Sequence, residues 1–182
     1  MLEGDRKNQL LAILFATREP VTPEELAPLF EGCDARQIDA IARELMDEFN
    51  RLQGAVEIRK VAGGFRMTTR PEHHEAIGAY LKTRPSAKLS QAALETLAVI
   101  AYRQPITLPE IMDIRGVKGT STIKTLLEKK LIETRGRKRV VGRPILYGTT
   151  RQFLMHFGLQ DLTELPTIEE FEEILAQAET GL

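Results

Sequence analysis

The sequence predicts a mainly α protein of the α+β type, made of two copies of one small domain, each three helices followed by a β-hairpin, with a helical tail after the second copy. Three observations carry that prediction. Arg18–Leu26 (REPVTPEEL) superposes without a gap on Arg103–Ile111 (RQPITLPEI), an offset of 85 residues, and self-similarity at a fixed offset marks duplicated units. Beyond that stretch the apolar positions stay in register, pairing Leu29 with Ile114, Ile38 with Ile123 and Ile41 with Leu126. Within each copy the apolar period then changes from helical to alternating.

The first copy is expected to open with a helix over 7–17, where Leu10, Ile13 and Leu14 share one face at helical spacing. Pro20 stops it, and Thr22 caps a second helix over 23–31. A third helix, Ala35–Leu52, turns Ile38, Ile41, Leu45 and Phe49 inward. VEIRKV and FRMTTR then read as hairpin arms around Ala62-Gly63-Gly64, with the double glycine supplying positive φ. In the second copy the helices fall at 90–103, 108–115 and Ser121–Lys130. Leu94, Leu97, Ala98 and Ala101 are expected to face the core from the first of these. Thr120 caps the third helix, where Ile123, Leu126 and Leu127 face inward. LIETR and ILYGTT are the hairpin arms. Helices at 150–158 and 167–178 complete the chain. Three helices followed by a two-stranded hairpin is the winged-helix form of the helix-turn-helix. The expected domains are residues 1–82 and 89–160, joined by a linker at 83–88 and followed by an acidic tail at 161–182.

Composition narrows function by exclusion. The 182 residues suit one or two small domains, and 42% apolar content lets each bury a modest core. With 5% aromatic residues and no Trp, no large aromatic cofactor pocket is expected. A net charge of −1 is not that of a bulk nucleic-acid binder. The charge is polarised instead: residues 118–143 carry a net of +7 and residues 161–182 a net of −7. The single cysteine, Cys33, excludes an internal disulfide and fits a reducing compartment. LLAILFA is preceded by Asp5 and followed by no cleavage signal, and no apolar run is long enough to span a bilayer. A cytosolic, soluble protein is expected.

No catalytic, metal or cofactor site is legible. His73 and His74 are adjacent and would point apart on a helix, while Cys33 and His156 lie far off in sequence. GVKGTSTIK lacks the phosphate-loop spacing and reads as a turn followed by a helix cap. On the third helix of the first copy Asp34, Asp39, Glu44, Asp47 and Glu48 would repel phosphates. In the second copy Lys124 and the hairpin-tip cations Arg135, Arg137, Lys138, Arg139 and Arg143 are candidate phosphate contacts. They suit weak, salt-sensitive, sequence-independent DNA binding.

LSQAALETLAVIAYRQPIT, GVKGTSTIKTLLEKKLIE, GRPILYGTT and FLMHFGL, in that order, closely resemble the segregation and condensation protein B family. The likeness covers essentially the whole chain and is densest from Leu89 to Leu159. It implies a non-enzymatic accessory subunit of the bacterial condensin-like complex, acting in chromosome condensation and segregation. It further implies homodimerisation through the N-terminal domain and binding of the kleisin subunit, segregation and condensation protein A, through the C-terminal domain. Through the kleisin the protein would reach the structural-maintenance-of-chromosomes ATPase. Tyr102, Tyr147, Phe153 and Phe157 are the kleisin-binding candidates, because aromatic anchors often dominate binding energy. Leu10, Ile13 and Leu14 are the dimer-interface candidates. The other reading that the residues allow is a winged-helix transcriptional regulator gripping DNA with the second copy.

Overall fold

The computed structural model describes residues 3–81, 89–116, 119–167 and 170. The expected linker, Lys118 and, Thr167 and Glu170 apart, the expected helix at 167–178 lie outside those residues. Helix and strand are mixed, with helix predominating.

The first half runs α1 (Glu3–Ala16), α2 (Pro23–Leu26), α3 (Ala35–Arg51), β1 (Val56–Val61), β2 (Gly64–Thr69) and α4 (His74–Leu81). Helix α1 begins four residues before the expected start at residue 7, because Glu3–Arg6 offer no apolar side chain and the period marks only the packed turns. The expected helix at 23–31 ends early. Its α-helical part stops at Leu26 and gives way to a 3-10 turn over Ala27–Leu29. Pro28 has no N–H to continue the α-helical ladder. Leu10, Leu14, Leu26, Phe30, Ile38, Leu45, Ile58 and Phe65 form the core, while Ile13, Ile41 and Phe49 pack on it half-buried.

The hairpin pairs Val56 with Thr69 through Val61 with Gly64. Its positive φ values fall on Ala62 (52°) and Gly63 (76°), not on the two glycines. Gly64 serves a different end: a Cβ there would lie 2.8 Å from the backbone carbonyl of Val21. That close approach lets Val21 and Phe65 exchange two backbone hydrogen bonds, both 2.9 Å.

The second half runs α5 (Gln91–Arg103), β3 (Ile106–Thr107), α6 (Leu108–Arg115), α7 (Thr120–Glu128), β4 (Ile132–Arg137), β5 (Ile145–Thr149) and α8 (Arg151–Phe157). Its sheet has three strands in the order β3-β5-β4, where the sequence predicts two. The extra strand pairs Ile106 with Tyr147. Ile106 is the counterpart, at the repeat offset, of Val21, which bridges to Phe65 in the first half, and two residues are too short to show a period of their own. Helix α7 starts at Thr120 with Gly119, not Thr120, in the cap position. Ala93, Leu97, Ile100, Ile106, Ile111, Ile123, Leu126, Ile132, Tyr147 and Phe153 lie in this second core.

The repeat persists at the level of single hydrogen bonds. Thr22 N–H donates to Glu25 Oε2 at 2.7 Å and Thr107 N–H to Glu110 Oε2 at 2.9 Å, opening α2 and α6 alike.

The halves also touch. Ala62 N–H donates to the Leu159 carbonyl (2.9 Å) and Gly63 N–H to that of Gln160 (3.1 Å), while Arg151 Nη2 donates to the Pro20 carbonyl (2.7 Å). Val61 and Ala62 belong to neither core, yet they are only 3% and 9% exposed. Residues 159–160 of the second half therefore lie against the hairpin turn of the first.

Candidate functional site

Helix α5 (QAALETLAVIAYR) is apolar over much of its circumference. Periodicity alone therefore cannot fix which side is buried. Ala93, Thr96, Leu97, Ile100 and Ala101 face the core. Of the four residues expected inside, Leu97 and Ala101 are there, whereas Leu94 (41% exposed) and Ala98 are outside. Leu94, Ala98 and Tyr102 (49% exposed) follow one another at i, i+4 and i+8, which makes an apolar stripe open to solvent. Facing it from α6 is Ile114, 56% exposed.

Ala98, Val99, Tyr102, Arg103 and Ile114 line an apolar trough of about 430 Å³ between the two helices. Past Arg103 and Ile114, which both share, it runs on into a more polar stretch of about 450 Å³ walled by Pro105, Ile106, Glu110 and Asp113. The trough is thus apolar at one end and charged at the other.

Its walls are braced. Arg115, at the end of α6, donates to Glu95 Oε2 and to Thr96 Oγ1, each at 2.7 Å, and so fixes α6 against α5. The Arg115 guanidinium holds the Glu95 carboxyl below its ordinary value. Thr96 is fully buried and passes its own proton to the Ala92 carbonyl at 2.8 Å, so the hydroxyl is satisfied on both sides. At the other end of α5, Gln104 closes a ring with Thr149. Its Nε2 donates to the Thr149 hydroxyl (2.9 Å) and its Oε1 accepts from Thr149 N–H (2.8 Å).

The polar end holds a charged latch. Lys138, from the basic hairpin tip, reaches Glu110 Oε1 at 2.5 Å. That contact first, then the hydroxyl and N–H of Thr107, lowers the Glu110 pKa to about 2. Tyr102 is tethered as well, its hydroxyl donating to the Pro166 carbonyl at 2.6 Å.

The residues singled out in the sequence separate by position. Tyr102 is on the trough. Tyr147 and Phe153 are buried in the second core, so their rings present little surface to a partner. Phe157 is exposed beside Phe153 (ring centroids 4.9 Å apart) on α8, outside the trough lining. Leu10 and Leu14 are both 1% exposed in the first core and Ile13 is half-buried, whereas their neighbour Phe15 stands in solvent. Ile114 and Leu29, paired by the repeat, are both surface residues. Leu94, Ala98, Val99 and Ile114 were missing from the candidates because apolar residues on a helix read as core until the buried side is known.

The hairpin-tip cations are partly engaged. Arg135 pairs with Glu133 (2.9 Å) and donates to the Thr149 carbonyl, Arg137 donates to the Arg143 carbonyl, and Lys138 holds Glu110. On α7, Lys124 lies 3.9 Å from Glu128. Beside Arg139, Val140 and Val141 are exposed at the tip. Among the described residues there is no group of three or more His, Cys, Asp or Glu placed to hold a metal, and no helix is long and apolar enough to cross a membrane.

Comparison with known proteins shows what the chain is similar to. The family model described as segregation and condensation complex subunit ScpB matches residues 8–168. Segregation and condensation protein B of Symbiobacterium thermophilum is 47% identical over 169 residues, covering 93% of this chain and 76% of that one. The protein of the same name from Desulforamulus reducens is 47% identical over 180 residues, covering 99% and 97%. The crystal structure of ScpB from Mycobacterium tuberculosis is 32% identical, covers 87% of this chain and 98% of its own, and superposes with a TM-score of 0.42.

Proposed function

The chain belongs to the segregation and condensation complex subunit ScpB family, and from that premise we propose that it is a non-enzymatic scaffold of two winged-helix domains, the second of which holds an amphipathic helix of the kleisin subunit in the α5/α6 trough. The domains are residues 1–82 and 89–160, each around one of the two cores. The kleisin links the scaffold to the structural-maintenance-of-chromosomes ATPase, and the first domain pairs two copies of the chain.

One observation carries the trough: a stripe of apolar side chains, Leu94, Ala98 and Tyr102, open to solvent opposite Ile114. An apolar helix face laid into such a groove is stabilised by the area it removes from water. Arg103 on the trough wall and Glu110 and Asp113 at its polar end then select which charges flank that face. The buried Tyr147 and Phe153 act from beneath, supporting the sheet and α8.

Affinity for the kleisin tests the assignment. Ile114 is a surface residue, so Ile114→Asp leaves the core intact. It should weaken kleisin binding by about 30-fold or more in calorimetric titration, the loss typical of removing an interface anchor. Parental affinity in that variant would place the interface elsewhere. DNA recognition by the second domain is less favoured. Arg135, Arg137 and Lys138 spend hydrogen bonds on the protein itself, and Glu128 lies beside Lys124 on α7.

A further inference from the structure

Residues 158–166 follow α8 in the second half, yet they reach both the first half and the trough. Gly158, at φ 70°, ends α8 in the left-handed conformation that turns the chain away. The next two carbonyls, of Leu159 and Gln160, accept the N–H groups of Ala62 and Gly63. The segment is then stiffened from within. Gln160 N–H donates to Glu164 Oε2 and Thr163 N–H to Asp161 Oδ1, both at 2.7 Å, around a 3-10 turn over Leu162–Glu164. Leu165 packs on the second core, and the Pro166 carbonyl accepts the Tyr102 hydroxyl.

We propose that Leu159–Pro166 is a strap coupling the trough to the docking of the two halves: a helix that takes over Tyr102 draws the strap away and frees the hairpin turn of the first half. The inference rests on the reading of the trough as a helix-binding site. A phenol has one proton to donate, so Tyr102 cannot hold Pro166 and a partner's acceptor together. Because the strap is braced internally, displacement at Pro166 is carried to Leu159 and is not absorbed between them. Coupling of this kind is reciprocal: docked halves disfavour the partner by the factor with which the partner disfavours docking.

Amide hydrogen exchange of the full chain reads both ends. Tyr102→Phe removes only a hydroxyl from a half-exposed side chain. Exchange at Ala62 and Gly63 should then rise about three- to tenfold, as loss of one hydrogen bond implies. The Ile58 amide, held at 2.9 Å by Asn50 Oδ1 in the same hairpin, should keep its rate. Adding the kleisin to the unsubstituted chain should slow exchange in α5 and α6 and speed it at Ala62 and Gly63. Unchanged rates at Ala62 and Gly63 in Tyr102→Phe overturn the strap, as does an equal rise at Ile58, which would mean general loosening. Kleisin protection of α5 and α6 with Ala62 and Gly63 unaffected overturns the strap and keeps the trough. No protection of α5 and α6 overturns the trough and with it the coupling, whatever the rates in Tyr102→Phe.

Discussion

Glu25 and Glu110 occupy equivalent places, each accepting the backbone N–H three residues before it. Both carboxyls are held below their ordinary value, Glu25 chiefly by Thr22 N–H and Glu110 chiefly by Lys138. The lysine makes Glu110 more than a cap, since it also ties the basic hairpin to α6. A carboxylate whose folded pKa is depressed contributes stability above its unfolded value, and that contribution is lost as pH falls towards the folded one. For Glu110 the window runs from the ordinary 4.5 down to about 2. Urea denaturation of the parent and of Glu110→Gln should therefore show the parent's advantage at neutral pH shrinking through that window. A difference constant from pH 7 to 2.5 would mean that the latch does not form in solution.

At the scale of elements, the two halves differ in how their hairpins meet the chain before the second helix. Gly64 admits the Val21 carbonyl so closely that any Cβ would collide with backbone, which cannot swing aside as a side chain can. Gly64→Ala should cost about 1–3 kcal/mol, the usual range for overpacking, and thermal unfolding would measure it. The parental melting temperature in that variant would contradict the close approach. The same stretch shows what the sequence could reveal. Thr22, Thr107, Pro20 and Pro105 place the helix starts, because caps and breakers act on their own backbone. The roles of Gly63 and Gly64 are not readable locally, since one serves a turn and the other a neighbour 43 residues earlier in the chain. Helix α5 fails for a related reason: with Leu94, Leu97, Ala98, Ile100 and Ala101 all apolar, which side is buried depends on the helices packed against it. The trough was legible only through Tyr102, whose phenol is the one polar group on the stripe.

For the molecule as a whole, the first half keeps Leu10 and Leu14 for its own core and leaves Phe15, Leu52, Tyr80 and Leu81 exposed. Pairing of two copies would draw on that second set. Analytical ultracentrifugation of the full chain should give a dimer. Phe15→Glu, a change at an exposed position, should weaken it tenfold or more if that residue is an anchor. A monomer at high concentration for the parent would remove dimerisation from the proposed function. The joint between the halves has a different logic, because the three hydrogen bonds that cross it among the described residues are fewer than the roughly ten of a stable association between separate proteins. Its partners share one chain, so each meets the other at an effective concentration in roughly the millimolar range. Docking is then a property of connectivity as much as of contact. Cleaving the backbone between Leu81 and Leu89 would alter none of the three bonds, yet it would leave them to be made by collision at ordinary dilution, where they do not persist.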